Sequence, residues 1–135
     1  MTEQRDSLRE ALRWIEKAEH DIRNADHTLT LKKDCPLDTV CFHAQQGAEK
    51  CLKALLVFEG VDFPRTHDLV LLLHLVPKEA AIRIETVDVH PLNRYSVETR
   101  YPGEWAPFTR KEAENAVLLA KKVRKAVKAC LRRGL

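Results

Sequence analysis

Residues 43–61 read "HAQQGAEKCLKALLVFEGV", and this stretch decides the fold. Ala44, Ala48, Cys51, Leu52, Leu55 and Phe58, with Cys41 just upstream, recur every three or four residues, which is the spacing of one helix face. The pattern predicts a helix over about residues 37–59, stopped by Gly60, where a left-handed residue commonly ends a helix. Ala44, Gly47 and Ala48 make one side slim, so a neighbouring helix can approach closely. His43, Gln46, Lys50 and Lys53 form a polar stripe beside that slim side.

Working outward, Leu8, Leu12, Ile15, Ala18, Ile22, Ala25 and Leu29 predict an amphipathic helix over about residues 4–30. "KKDCPLD" interrupts the pattern: Pro36 forbids continuation, and Asp34 or Asp38 can cap the helix that follows. "HDLVLLLHLVP" predicts a compact apolar helix, capped by Thr66 or Asp68 and ended by Pro77. "IRIETVDV" alternates like a strand, but a single strand without a partner is a poor proposition, so a frayed helix or loop is expected to about residue 90. A helix from Pro91 to about Arg100 then ends at Pro102–Gly103. The last helix, about residues 109–133, starts with Thr109 and Glu112 at capping-box spacing and buries Ala113, Ala116, Val117, Ala120, Val123, Val127 and Cys130. The expected fold is all-α: one domain over residues 1–135, an antiparallel, up-and-down bundle of about five helices, three long and two short.

A chain of 135 residues suits one core. Only four glycines and six prolines interrupt it, which favours helices. No run reaches the roughly 18 apolar residues of a membrane span, and the start, "MTEQRDSLREALRWIEKAEHD", is too charged for a secretory signal. Cys35, Cys41, Cys51 and Cys130 form no CxxC pair, so free thiols and a cytoplasmic location are expected. The net charge of +3 is uneven: residues 109–135 hold nine Lys/Arg against two Glu, and residues 1–108 hold fourteen against eighteen acids. A basic final helix can meet phosphate or nucleic acid; it is equally read as a solvated face suited to the negative end of the helix dipole.

Three groups of residues can carry chemistry. His43, Gln46 and Lys50 offer imidazole, amide and cation to a phosphate or base, or simply flank the core. Arg65-Thr66-His67-Asp68 opens a helix, where free N–H groups favour anions, with Arg65 and His67 adding charge and hydrogen bonds; it reads as well as a capping turn, with Asp68 serving the helix end and His67 packing. In "NRYSVETRYPGEW", Arg94 and Arg100 stand among Tyr95, Tyr101 and Trp105, a composition suited to stacking a base and holding a phosphate, or equally to a helix stop at Tyr101-Pro102-Gly103 with Tyr101 and Trp105 covering the edge of the core. His20/His27 and His67/His74 are spaced too widely for a helical metal pair, and no phosphate-loop, dinucleotide or nucleophile-elbow motif occurs. No metal and no cofactor are expected.

Taken together, "FHAQQGAEKCLKALLVFEGVDFPRTHDLVLLL" and "LNRYSVETRYPG" resemble a HEPN domain, over about residues 8–130. The resemblance implies a five-helix bundle that forms a homodimer, is associated with nucleotide or RNA, and is often paired with a small MNT-type nucleotidyltransferase in toxin–antitoxin fashion. It also implies, for many members, a metal-independent ribonuclease using an Arg-x(4–6)-His motif. This sequence departs from that motif: no His follows Arg100 in "YPGEWAP". Arg100 with Tyr101 could still hold a scissile phosphate, although an ordinary phenol is a poor base near neutral pH. Arg83 and His90 match the motif by count alone. The leading expectation is a nucleotide- or RNA-binding protein with His43, Gln46, Lys50, Arg65, His67, Arg94 and Arg100 as ligand contacts. An endoribonuclease toxin and a non-catalytic protein-interaction bundle are the alternatives.

Overall fold

The computed structural model describes residues 2–96 and 107–133. Five α-helices occur among them: α1 Thr2–Thr28, α2 Leu37–Phe58, α3 Leu69–Leu75, α4 Thr86–Val89 and α5 Arg110–Arg132. A 3-10 turn, Lys78–Ala80, follows α3, and a 3-10 helix, His90–Ser96, continues directly from α4. No strand is present among the described residues, so the alternating "IRIETVDV" runs as irregular chain into α4. The helix expected from Pro91 begins there only as the 3-10 segment, and its expected end at Arg100 lies outside the described residues.

α2 is the axis of the bundle, touching α1, α3, the 3-10 helix and α5. It buries thirteen residues, far more than one face, and these include Gln45, Glu49 and Lys53. α1 runs antiparallel to α2, with Asp21 beside Lys50 and Trp14 beside Lys53. α1 also runs antiparallel to α5, where Asp26 meets Lys121 and Glu19 meets Lys128. α2 and α5 therefore point the same way. α4 with the 3-10 helix after it runs against α5, Asp88 beside Lys122 and Tyr95 beside Glu112, and supplies the returning leg. α3 runs antiparallel to that leg, with Leu69 beside Asn93 and His74 beside Thr86.

The slim side of α2 faces α1. A Cβ built on Gly47 would lie 2.5 Å from Ile22 Cγ1 and 3.4 Å from the Ala18 carbonyl oxygen, so the two helices meet at a distance only glycine permits. On α1 the buried line is Ala11, Ile15, Ala18, Ile22 and Ala25. Leu12, expected in that line, is half exposed, because a helix pressed this closely to its neighbour admits Ala11 in its place. The four cysteines are free, and burial pushes the Cys51 thiol up to about 12.

Local chemistry sets the ends of the helices. After α2, Gly60 adopts φ 70°; its N–H reaches the Val57 carbonyl and the Val61 N–H reaches Leu56, a Schellman ending. At the start of α2 neither expected aspartate caps: Pro36 is the N-cap, Asp38 accepts from Thr39 N within the first turn, and Asp34 sits outside with φ 54°. Thr109 does cap α5, accepting from Glu112 N at 3.0 Å, while the Glu112 carboxylate turns to Tyr95 instead of completing the box.

Gly47→Ala should destabilise the protein by about 1 kcal/mol, since overpacking of this contact outweighs the better helix propensity of alanine. In an Ile22→Ala background, where the obstructing atoms are gone, the same change should cost little or stabilise. Urea unfolding of the four proteins in this cycle measures the coupling.

Candidate functional site

The polar stripe of α2 is divided between two acids. Asp21 of α1 takes one half: His43 donates to it through Nδ1 at 2.9 Å, and Lys50 Nζ stands 2.6 Å from its other oxygen. All three side chains are partly buried, so this hydrogen bond and ion pair together staple α1 to α2. Glu49 takes the other half. Its carboxylate is almost wholly buried and accepts from Lys53 Nζ at 3.0 Å, His67 Nδ1 at 2.8 Å and, at 3.3 Å, Gln45 Nε2. Lys53, expected on the exposed stripe, is buried because α2 is enclosed on this side too, with its ammonium within 6 Å of the Trp14 and Phe63 rings.

Gln45 extends the network. Its Nε2 donates to the His67 carbonyl oxygen at 3.0 Å, and its Oε1 accepts from Gln46 Nε2 at 2.8 Å. Gln46 and His67 are thus brought together on one chain of hydrogen bonds, with Gln45 and Glu49 as the buried links. An isolated buried carboxylate would be expensive; one that is paired and hydrogen-bonded on several sides is tolerated. The network pins the segment before α3, which carries Arg65 and His67, onto the middle of α2. Arg65 itself is exposed.

The start of α3 offers no open N–H groups to an anion. Asp68 is the N-cap and accepts from Val70 N at 3.0 Å and Leu71 N at 3.3 Å. Asn93 closes the remainder: its Oδ1 accepts from Leu69 N and its Nδ2 donates to Asp68, both at 2.8 Å. Thr66 Oγ1 accepts from Asp68 N. The Asn93 hydrogen bond, joined by the Leu71 and Val70 amides, holds the Asp68 carboxyl below its usual range. Asp68 therefore stabilises the folded state above its ordinary pKa, and that contribution fades as pH falls below it.

Arg94 stacks over the Tyr95 ring at 5.5 Å and lies 3.4 Å from Glu112 Oε2, the oxygen to which Tyr95 donates its phenol. Burial first, and then neighbouring acidic groups including Glu112, push the Tyr95 phenol well above its ordinary value, so it stays a donor. Arg83 and His90 are both exposed and line different hollows, His90 beside Val87 and Pro91, Arg83 beside α5. Arg100, Tyr101 and Trp105 lie outside the described residues. No cluster of three or more His, Cys, Asp or Glu able to hold a metal ion occurs among the described residues, and no helix there is long and apolar enough to cross a membrane.

Sequence reading missed Asp21, Gln45, Glu49 and Asn93. One signal was available: Gln45, Glu49 and Lys53 follow one another at four-residue spacing, which places them on one side of a helix. Glu49→Leu should cost about 3 kcal/mol, because Lys53 is left as a buried cation without its carboxylate. Glu49→Leu with Lys53→Met should recover most of that loss, as read by chemical unfolding.

Comparisons with known proteins agree on what this arrangement is. A model of the HEPN domain matches residues 11–130. Among solved structures, TT1696 from Thermus thermophilus is 32% identical, with a TM-score of 0.74, covering 89% of this chain and 97% of that one. ST0689, an archaeal HEPN homologue, is 24% identical and shares the fold, with a TM-score of 0.68 over 90% of this chain and 97% of its own. Comparison with curated proteins gave no match. The chain belongs to the HEPN domain family.

Proposed function

We propose that this HEPN protein binds a nucleotide or RNA as a homodimer and acts with a separately encoded small nucleotidyltransferase, in the manner of a toxin–antitoxin pair. The observation that carries the reading is the buried Gln45–Glu49–Lys53 network, which holds the Arg65–His67 segment against α2. Buried polar groups of this kind cost stability where apolar packing would serve, and their effect here is to position exposed side chains. Gln46, Arg65, His67 and Arg94, joined by Arg100 and Tyr101 from outside the described residues, would form the ligand site. His43 and Lys50, already engaged by Asp21, would stand at its margin. Fluorescence titration with ATP analogues and short RNAs at low salt should show saturable binding that weakens as salt rises. Arg65→Ala and Arg100→Ala should each weaken it about tenfold. Absence of saturable binding would remove the reading, and co-purification of the chain with a co-expressed nucleotidyltransferase tests the partnership.

A second reading, a metal-independent ribonuclease, draws on one specific contact. His67 is oriented through Nδ1 by the Glu49 carboxylate, as imidazoles that move protons commonly are. In this reading His67 would take the proton from a ribose 2′-hydroxyl while an arginine holds the phosphate. In an RNA-cleavage assay with EDTA, His67→Ala should lower the rate about a hundredfold or more. Arg100→Ala should also lower it, and His90→Ala should leave it unchanged. Undiminished cleavage in His67→Ala would exclude this role.

A further inference from the structure

The alternating stretch "IRIETVDV" is used by neither reading. It enters α4 at Thr86, and the residues just before belong to no helix or strand. Burial still alternates along them: Ala81 is exposed, Ile82 half-buried, Arg83 exposed, Ile84 buried and Glu85 exposed. That is the two-residue rhythm of a strand, and Glu85 at its end is extended, with φ −119° and ψ 165°. No backbone N–H or C=O of Ile82, Arg83 or Ile84 makes a hydrogen bond among the described residues. A row of unpaired amides and carbonyls in this rhythm is a template for another chain.

The inner side of the row meets an apolar hollow. The space, about 400 Å³, lies between the segment and the end of α3, with Leu73, Val76 and Pro77 across from Ile82 and Ile84. His74 and Thr86 bridge its two sides, Nε2 to Oγ1 at 3.4 Å. Lys78 and Glu85 also line it, with opposite charges, so the hollow favours neither sign and suits apolar side chains. Arg83 takes no part in the lining and is exposed. The segment thus offers an apolar side and a cationic side, divided residue by residue.

We infer that the Ile82–Ile84 edge receives an extended peptide of another protein, paired backbone to backbone, in which apolar and acidic side chains alternate. Residues opposite one another in paired strands share a face. The peptide's apolar residues therefore enter the hollow beside Ile82 and Ile84, and its acid lies opposite Arg83. Backbone hydrogen bonds supply the attachment and the hollow supplies the selectivity. Charge selects against a second copy of the same edge: two such edges paired about their middle residue set Arg83 against Arg83, which is unfavourable. This surface neither uses the site proposed on α2 nor depends on it.

Fluorescence anisotropy of the whole protein with a labelled, capped peptide of alternating valine and glutamate tests the inference, a valine–lysine peptide serving as control. The valine–glutamate peptide should bind saturably, and the control about tenfold more weakly. Two versions methylated on alternate backbone nitrogens should differ: one loses binding and the other keeps it, because only one set of donors faces the edge. Arg83→Glu, a change at an exposed position, should reverse the preference between the glutamate and lysine peptides. Absence of saturable binding, equal binding of the two peptides, or binding kept by both methylated versions would overturn the inference. Self-association of the protein that the peptide displaces would assign the edge to a second copy and overturn the choice of occupant.

Discussion

A carboxylate cannot sit in the middle of a helical bundle unless several donors come to it, and Glu49 draws three. Lys53 answers from one turn along the same helix, His67 from the segment before α3, and Gln45 from one turn back. The desolvation of a buried ion amounts to several kcal/mol, and only good geometry offsets it. The geometry of this one group therefore governs much around it. Lys53 lies near Trp14 of α1 and Phe63 of the connecting segment, so α1, α2 and the approach to α3 are all referred to the same charge. Moving α1 or the approach to α3 would strip the Glu49–Lys53 pair of its aromatic cover or of the His67 hydrogen bond.

The α1–α5 face works differently. Lys121, Arg124 and Lys128 meet Asp26 and Glu19 in contacts that are partly or largely exposed. Such pairs contribute little each, up to about 1 kcal/mol. They align two helices whose apolar attachment is mainly to α2 and not to each other. Stability in this protein is thus concentrated along one axis, and charge complementarity orients what surrounds it.

How far this could be read in advance depended on how many neighbours each helix has. α1 and α5 have one buried side, and their three- and four-residue spacing predicted them closely, down to the cap at Thr109. α2 is enclosed nearly all round, so a periodicity argument that assumes a solvent side misassigned Lys53 and passed over Gln45 and Glu49. Leu12 gave way to Ala11 because Gly47 brings the helices closer than size-neutral reasoning anticipates. The stretch from Ala81 to Ser96 has no strong period; its order comes from contacts such as Lys122 with Asp88 and Tyr95 with Glu112, made by residues far away in the chain. Of the two readings of the turn before α3, open amides or a cap by Asp68, the structure has the cap, and the residue that completes it, Asn93, is twenty-four residues beyond Leu69.

That asparagine also bears on how the protein assembles. α3 has seven residues, well short of the length at which a helix persists alone in water. Its first amide and its capping aspartate are both held by Asn93, so the helix gains its start only when the 3-10 segment has docked. By this coupling the two pieces are expected to gain and lose order together. The segment carrying Arg65 and His67 leads directly into this unit, so its anchoring at the α3 end runs through a side chain twenty-four residues beyond Leu69 in the chain.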